Sequence, residues 1–189
     1  MNIVCIGDSL TYGYDVPVSA RWTVLLEQKT GIRVCNKGIC GDTTEGMLQR
    51  MQRIDMMAYD AVCLMGGSND ILQHVSLEQM EHHMQQMMQY AAQASNTLYV
   101  GIPLAMKPES VLFGWQRQEE VEGNNRKLET YRQWLLTQCI TYHAVPIDFY
   151  KRIQDAEIQF HTSLYADGVH PNEAGYALMA DEAVRCIRA

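Results

Sequence analysis

With 189 residues, a net charge of −7, 47% hydrophobic and 20% charged side chains, the chain has an ordinary globular composition and enough length for one sizeable core. The acidic balance argues against a nucleic-acid partner, because phosphate binding wants a basic face, and no apolar stretch approaches the length of a membrane span. The opening MNIVCIGD has neither the basic segment nor the apolar length of a secretion signal, so a cytoplasmic location is expected.

A short apolar run at 3–6 reads as a buried strand and ends abruptly in Gly7-Asp8-Ser9. Trp22, Leu25, Leu26 and Lys29 follow at helical spacing, with Gly31 as the cap. A second run, 33–36, leads into NKGICGDTT, where Thr43 and Thr44 can cap a helix carrying Met47, Leu48, Met51 and Ile54. The third, 60–66, ends in GGSND. Ser76 and Gln79 have the spacing of a capping box, and Leu77, Met80, Met84, Met87 and Met88 form the apolar face behind it.

The fourth run spans 97–103. The connection after it, LAMKPESVLFGWQRQ, is too long for a tight turn, and its Phe113 and Trp115 are expected to border a substrate pocket. A polar helix from about 116 to 142 carries Leu128, Tyr131, Leu135 and Cys139, and the fifth run is 144–148. The last helix is expected to start near Pro171, a residue suited to a first helical position, with Ala174, Ala177, Leu178, Val184 and Ile187 facing inward.

Short apolar runs alternating with helices imply βαβ units in one α/β domain over 1–189, with a five-stranded parallel sheet covered by helices on both faces. Ligands bind such sheets outside the carboxyl ends of the strands. Ser9 lies at the first of those ends, Gly41 beyond the second, Asn69 and Asp70 beyond the third, and Asp167 and His170 in the DGVHP turn before the last helix.

These residue types together suit acyl transfer. A serine hydroxyl needs a base to take its proton, the imidazole of His170 can do that near neutral pH, and a carboxylate such as Asp167 fixes the imidazole tautomer. The backbone amides of Ser9 and Gly41 and the side-chain amide of Asn69 can donate to the oxyanion. Asp8, Asp42 and Asp70 read as supports that hold the loops and these donors from behind. Each residue alone has a plainer role, as a turn or capping residue.

In order, the blocks GDSLTYGY, GDTT, GSND and DGVH resemble those of the SGNH hydrolase superfamily, also called GDSL esterases and lipases, along essentially the whole chain. The resemblance implies a flavodoxin-like three-layer α/β sandwich and hydrolysis of small esters or thioesters without metal or cofactor. It places the same roles on Ser9, Gly41, Asn69, Asp167 and His170. An acyltransferase or sugar O-deacetylase would use the same site, and a flavodoxin-like binding domain without catalysis is a further alternative. The α/β-hydrolase elbow G-x-S-x-G is absent.

The remaining residues carry no chemistry in this reading. His74, His82, His83, His143 and His161 lack ligand-spaced partners and are expected in solvent. Cys5, Cys35, Cys40, Cys63, Cys139 and Cys186 show no metal or disulfide spacing, and Cys40 beside Gly41 reads as packing rather than a second nucleophile.

Overall fold

Ile3 to Ile6 are all completely buried, because helices cover both faces of the strand they form. The computed structural model describes residues 1–94 and 97–188. In chain order the elements are β1 (Asn2–Gly7), α1 (Ser9–Tyr12), α2 (Trp22–Thr30), β2 (Arg33–Gly38), α3 (Thr44–Met51), β3 (Ala61–Met65), α4 (Ser68–Leu72) and α5 (Leu77–Ala94). They continue with β4 (Thr97–Gly101), α6 (Val121–Thr141), β5 (Val145–Ile147), α7 (Phe149–Phe160) and α8 (Glu173–Arg188).

The sheet is parallel throughout, in the order β2-β1-β3-β4-β5. Successive strand residues point to opposite faces, which sorts the interior into two cores. Val4, Ile6, Val62, Leu64, Leu98 and Val100 meet α3, α5 and α6, whose contribution includes Met47, Met51, Met80, Met84, Leu128, Tyr131 and Leu135. Ile3, Cys5, Ala61, Cys63, Met65 and Tyr99 meet α2, α7 and α8 through Trp22, Leu26, Phe149, Ile153, Tyr176, Met179 and Ala180. The result is the expected three-layer α/β sandwich. From β1 the chain crosses to β2 on one side, then passes back beyond β1 to β3 on the other, so the strand order reverses between the carboxyl ends of β1 and β3.

Most elements lie where the pattern puts them. Gly31, at φ 72°, caps α2 in the left-handed region, and the Thr43 hydroxyl accepts the Gly46 amide at the start of α3. The Ser76 hydroxyl accepts the Gln79 amide at 3.2 Å, although the Gln79 side chain bonds that hydroxyl and not the Ser76 backbone.

The carboxyl-terminal third needs correction. Helix α7, which directly follows β5, is absent from the sequence reading. The last helix starts at Glu173, because Pro171 is held in an antiparallel bridge with Tyr165 and Asn172 caps the helix by accepting the Gly175 amide at 3.0 Å. Its fully inward stripe is Tyr176, Met179, Ala180, Ala183 and Cys186; Leu178, Val184 and Ile187 pack half-buried against the same core as expected, whereas Ala174 is exposed and Ala177 half-buried.

Candidate active site

Strand β1 runs into Asp8, which caps the short helix α1, and this sharp strand-to-helix turn sets Ser9 at its first position. The Trp22 indole nitrogen donates to the Leu10 carbonyl at 3.0 Å, anchoring α1 on α2. At the other side of the site, Asp167 and His170 lie on the turn before α8. The Asp167 Oδ1 accepts the Val169 and His170 amides at 2.9 and 2.7 Å, which closes the turn around its own carboxylate.

The two segments meet side chain to side chain. His170 Nδ1 is 2.7 Å from Asp167 Oδ2, and His170 Nε2 is 2.9 Å from Ser9 Oγ. All three residues are buried. Burial alone would raise the Asp167 pKa, but the His170 ring and the two backbone amides outweigh it and bring the value down to about 2. Asp167 is therefore a carboxylate at every pH where imidazole titrates, and it favours the tautomer with hydrogen on Nδ1. The lone pair of Nε2 then faces the serine hydroxyl.

The loop between β2 and α3 approaches the same place. Gly41 has φ 80°, a left-handed conformation that a side chain would strain, and a Cβ there would project into open space. The Ile39 amide bonds the Gly7 carbonyl at 3.0 Å, tying this loop to the residue before Asp8-Ser9. From α4, Asn69 Nδ2 donates one hydrogen to the Asp42 carbonyl at 2.9 Å, so the amide is oriented and its second hydrogen can serve an oxyanion. Asp70 accepts from the Thr44 amide and hydroxyl, the latter at 2.6 Å, locking α4 to the start of α3.

Two supporting residues carry no sequence signal. Arg50 Nε bonds Asp42 at 2.6 Å while its terminal nitrogens donate to the carbonyls of Lys37 and Gly7, so one guanidinium staples the ends of β1 and β2 to the Gly41 loop. His83 is half-buried and not solvated as expected; its Nδ1 is 3.2 Å from the Thr44 hydroxyl, because α5 packs on α3. A lone basic residue or histidine on an amphipathic helix does not reveal its partner in sequence.

The loop after β4 also reaches the site. The Trp115 indole nitrogen donates to Asp167 Oδ2 at 2.9 Å, and its ring stands edge-on to His170, 5.1 Å between centroids. Tyr14, inside the GDSLTYGY block but unassigned from sequence, lies 4.4 Å from the His170 ring on a tilted plane. Phe113 and its neighbour Leu112 are exposed. Among the described residues, no group of three or more His, Cys, Asp or Glu side chains is placed to hold a metal ion, and no helix is long and apolar enough to cross a membrane.

Asp8 behaves differently from Asp167. It is fully buried, its Oδ1 accepts the Leu10 amide at 2.9 Å, and its Oδ2 has no hydrogen-bond partner among the described residues. Burial pushes its pKa up to about 7, against the Leu10 amide and helped by the charges of Asp70 and Asp42. The folded state thus keeps a proton that the unfolded chain releases near pH 4. The contribution of Asp8 to stability is full below pH 4, falls as pH rises from 4 to 7, and is level above. Between pH 5 and pH 8 this group is expected to remove about 3 kcal/mol of stability. Asp8→Asn, which keeps the accepting oxygen, should lose that part of the pH dependence. Urea melts of both proteins at the two pH values check it, and equal pH dependences would contradict it.

Comparison with known proteins gives a consistent picture. A family model described as the GDSL-like lipase/acylhydrolase family matches residues 5–178. The crystal structure of a member of the lipolytic G-D-S-L family from Veillonella parvula has a TM-score of 0.87 at 25% identity, covering 100% of this chain and 98% of that one. Axe2, an acetylxylan esterase from Geobacillus stearothermophilus, shares the fold with a TM-score of 0.77 at 21% identity, over 98% of this chain and 93% of its own. An arylesterase from Vibrio mimicus is 36% identical over 75 residues, which cover 36% of this chain and 38% of that protein, well under half of its length.

Proposed function

Because the chain belongs to the GDSL-like lipase/acylhydrolase family, we propose that it is a serine esterase whose single domain, 1–189, cleaves small carboxylic esters or thioesters through Ser9, His170 and Asp167. The observation that carries this reading is the buried, continuous set of contacts from the Ser9 hydroxyl through His170 to Asp167.

Ser9 Oγ attacks the carbonyl carbon while His170 Nε2 takes its proton. The imidazolium, held by Asp167, returns that proton to the leaving alcohol as the acyl-enzyme forms. Water, activated by the same nitrogen, releases the acid. The amides of Ser9 and Gly41 and the Asn69 side chain receive the oxyanion. Asp42 and Asp70 act from behind, Asp42 through its carbonyl on Asn69 and Asp70 through Thr44.

The proposed substrate is small and soluble, with an apolar or aromatic portion, in the sense suggested by the name of the Vibrio mimicus relative. The test is hydrolysis of p-nitrophenyl acetate, butyrate and octanoate, with product analysis in the presence of an added alcohol. Turnover falling with chain length, and free acid as the product, are expected. No turnover of any aryl ester would contradict the substrate reading, and an ester of the added alcohol as main product would make the enzyme a transferase. Asn69→Ala should lower kcat by roughly 10²–10³ with little change in KM, since the amide acts on charge that develops only in the transition state; a change confined to KM would remove Asn69 from that role.

A further inference from the structure

Asp167 receives four donors, and three of them come from its own turn: the Val169 amide, the His170 amide and His170 Nδ1. The fourth is the Trp115 indole N–H, 52 residues away in sequence, and it shares Oδ2 with the imidazole. A D-x-x-H turn supplies the first three by itself. The fourth exists only because the loop after β4 is held against the turn.

That loop is firmly built. The Lys107 amide donates to the Gly168 carbonyl at 2.7 Å, and the Trp115 amide to the Ser110 carbonyl at 3.1 Å. A buried polar relay runs from Asn124 on α6 to Gln116 and on to the Ser110 hydroxyl, both bonds 2.7 Å. Asn125 brackets Met106 by bonding its amide and its carbonyl. Gly168, at φ 82°, is packed so closely that a Cβ would lie 2.3 Å from the Ser110 nitrogen. Buried, satisfied networks of this kind specify one geometry.

We propose that Trp115 is a positioning residue for the Asp167–His170 pair: its N–H holds the Asp167 carboxylate in the plane of the imidazole and draws charge from the oxygen that His170 uses. The inference rests on the triad reading above. The groups facing the His170 ring are Asp167 from its own turn, Ser9 and Tyr14 from the segment after β1, and Trp115, with Asp8 adjacent to Ser9. Without the indole donor, Oδ2 becomes a stronger acceptor for Nδ1–H and stabilises the imidazolium more, so the ring protonates at higher pH. Its carboxylate is also freer to rotate, which lowers the rate without touching substrate affinity.

The experiment compares Trp115→Phe, which keeps an aromatic edge beside His170 and Tyr14 but has no N–H, with the parent and with Ser9→Ala. Trp115 is partly exposed and its loop keeps every other anchor, so the variant retains the fold, which its melting curve verifies. Expected are a kcat lower by roughly tenfold, the size of one charge-assisted hydrogen bond, an unchanged KM, and an acid limb of the kcat/KM profile moved to higher pH. The His170 ring proton followed by NMR should titrate at higher pH in the variant, a readout that does not depend on turnover. An unchanged His170 titration and an unchanged kcat would overturn the proposal, as would a loss seen only in KM, which belongs to a substrate wall. Parent-level activity in Ser9→Ala would instead overturn the triad reading, and the NMR titration would still decide the Trp115 contact on its own.

Discussion

Replacing Ser9 with alanine is expected to lower kcat on p-nitrophenyl acetate by about 10⁴–10⁶, the range for removing a triad nucleophile, while the melting temperature stays close to that of the parent. The reason for the second half lies in the fold. Ser9 sits at the first position of α1, and the cap of that helix is the Asp8 Oδ1, which accepts the Leu10 amide and does not bond Ser9. Deleting Oγ removes only its contact with His170 Nε2. The oxyanion donors remain, so a residual rate above the solution reaction is expected. Steady-state kinetics with thermal melts on the same preparations test both parts. A variant within tenfold of the parent would mean that Ser9 is a turn residue.

Asp167→Asn should lower kcat by about 10⁴. The asparagine oxygen can still accept the Val169 and His170 amides, which preserves the turn. Its NH₂ group then faces two donors, His170 Nδ1–H and the Trp115 N–H, where the carboxylate oxygen had accepted both. The imidazole escapes that conflict by moving its proton to Nε2, and it then offers Ser9 Oγ a donor where the reaction needs an acceptor. The loss should appear in kcat with KM nearly unchanged, across the whole pH range, because the missing charge is not restored by titration. A variant that recovers at high pH would show that Asp167 does more than fix the tautomer.

Much of this was legible in the residues. Buried parallel strands read as short apolar runs, so Ile3–Ile6 and the run ending at Gly66 mark themselves, and the residues at their carboxyl ends are the ones that gather at the site. Ser9 contacts His170, which contacts Asp167, and all three lie at segments that the strand-end rule singles out. Helix α7 escaped because it follows the three-residue β5 within two residues and presents just a short set, Phe149, Tyr150, Ile153 and Ala156, to the core. The start of α8 was placed two residues early because the bridge between Tyr165 and Pro171 is a pairing that no local pattern announces. Arg50, His83 and Trp115 act through partners far off in sequence, and a propensity argument has no access to such contacts.

Among the structural supports, Trp115 and Arg50 illustrate the same physical need. A serine, a histidine and a carboxylate brought from distant segments must be held within a few tenths of an ångström, and loops alone do not hold that tolerance. Here α1 is anchored on α2 by Trp22, the Gly41 loop on both strand ends by Arg50, and the Asp167 turn on the loop after β4 by Trp115 and Lys107. The Ser9, His170 and Asp167 side chains meet where these attachments come together.

The most direct test of the central claim is reaction with a fluorophosphonate, followed by intact mass and peptide mapping. The account predicts one adduct per chain, located on Ser9, lost in Ser9→Ala and strongly slowed in His170→Ala, because the hydroxyl is nucleophilic only with the imidazole beside it. An adduct on any other residue, or no adduct from a folded protein that hydrolyses p-nitrophenyl acetate, would contradict it.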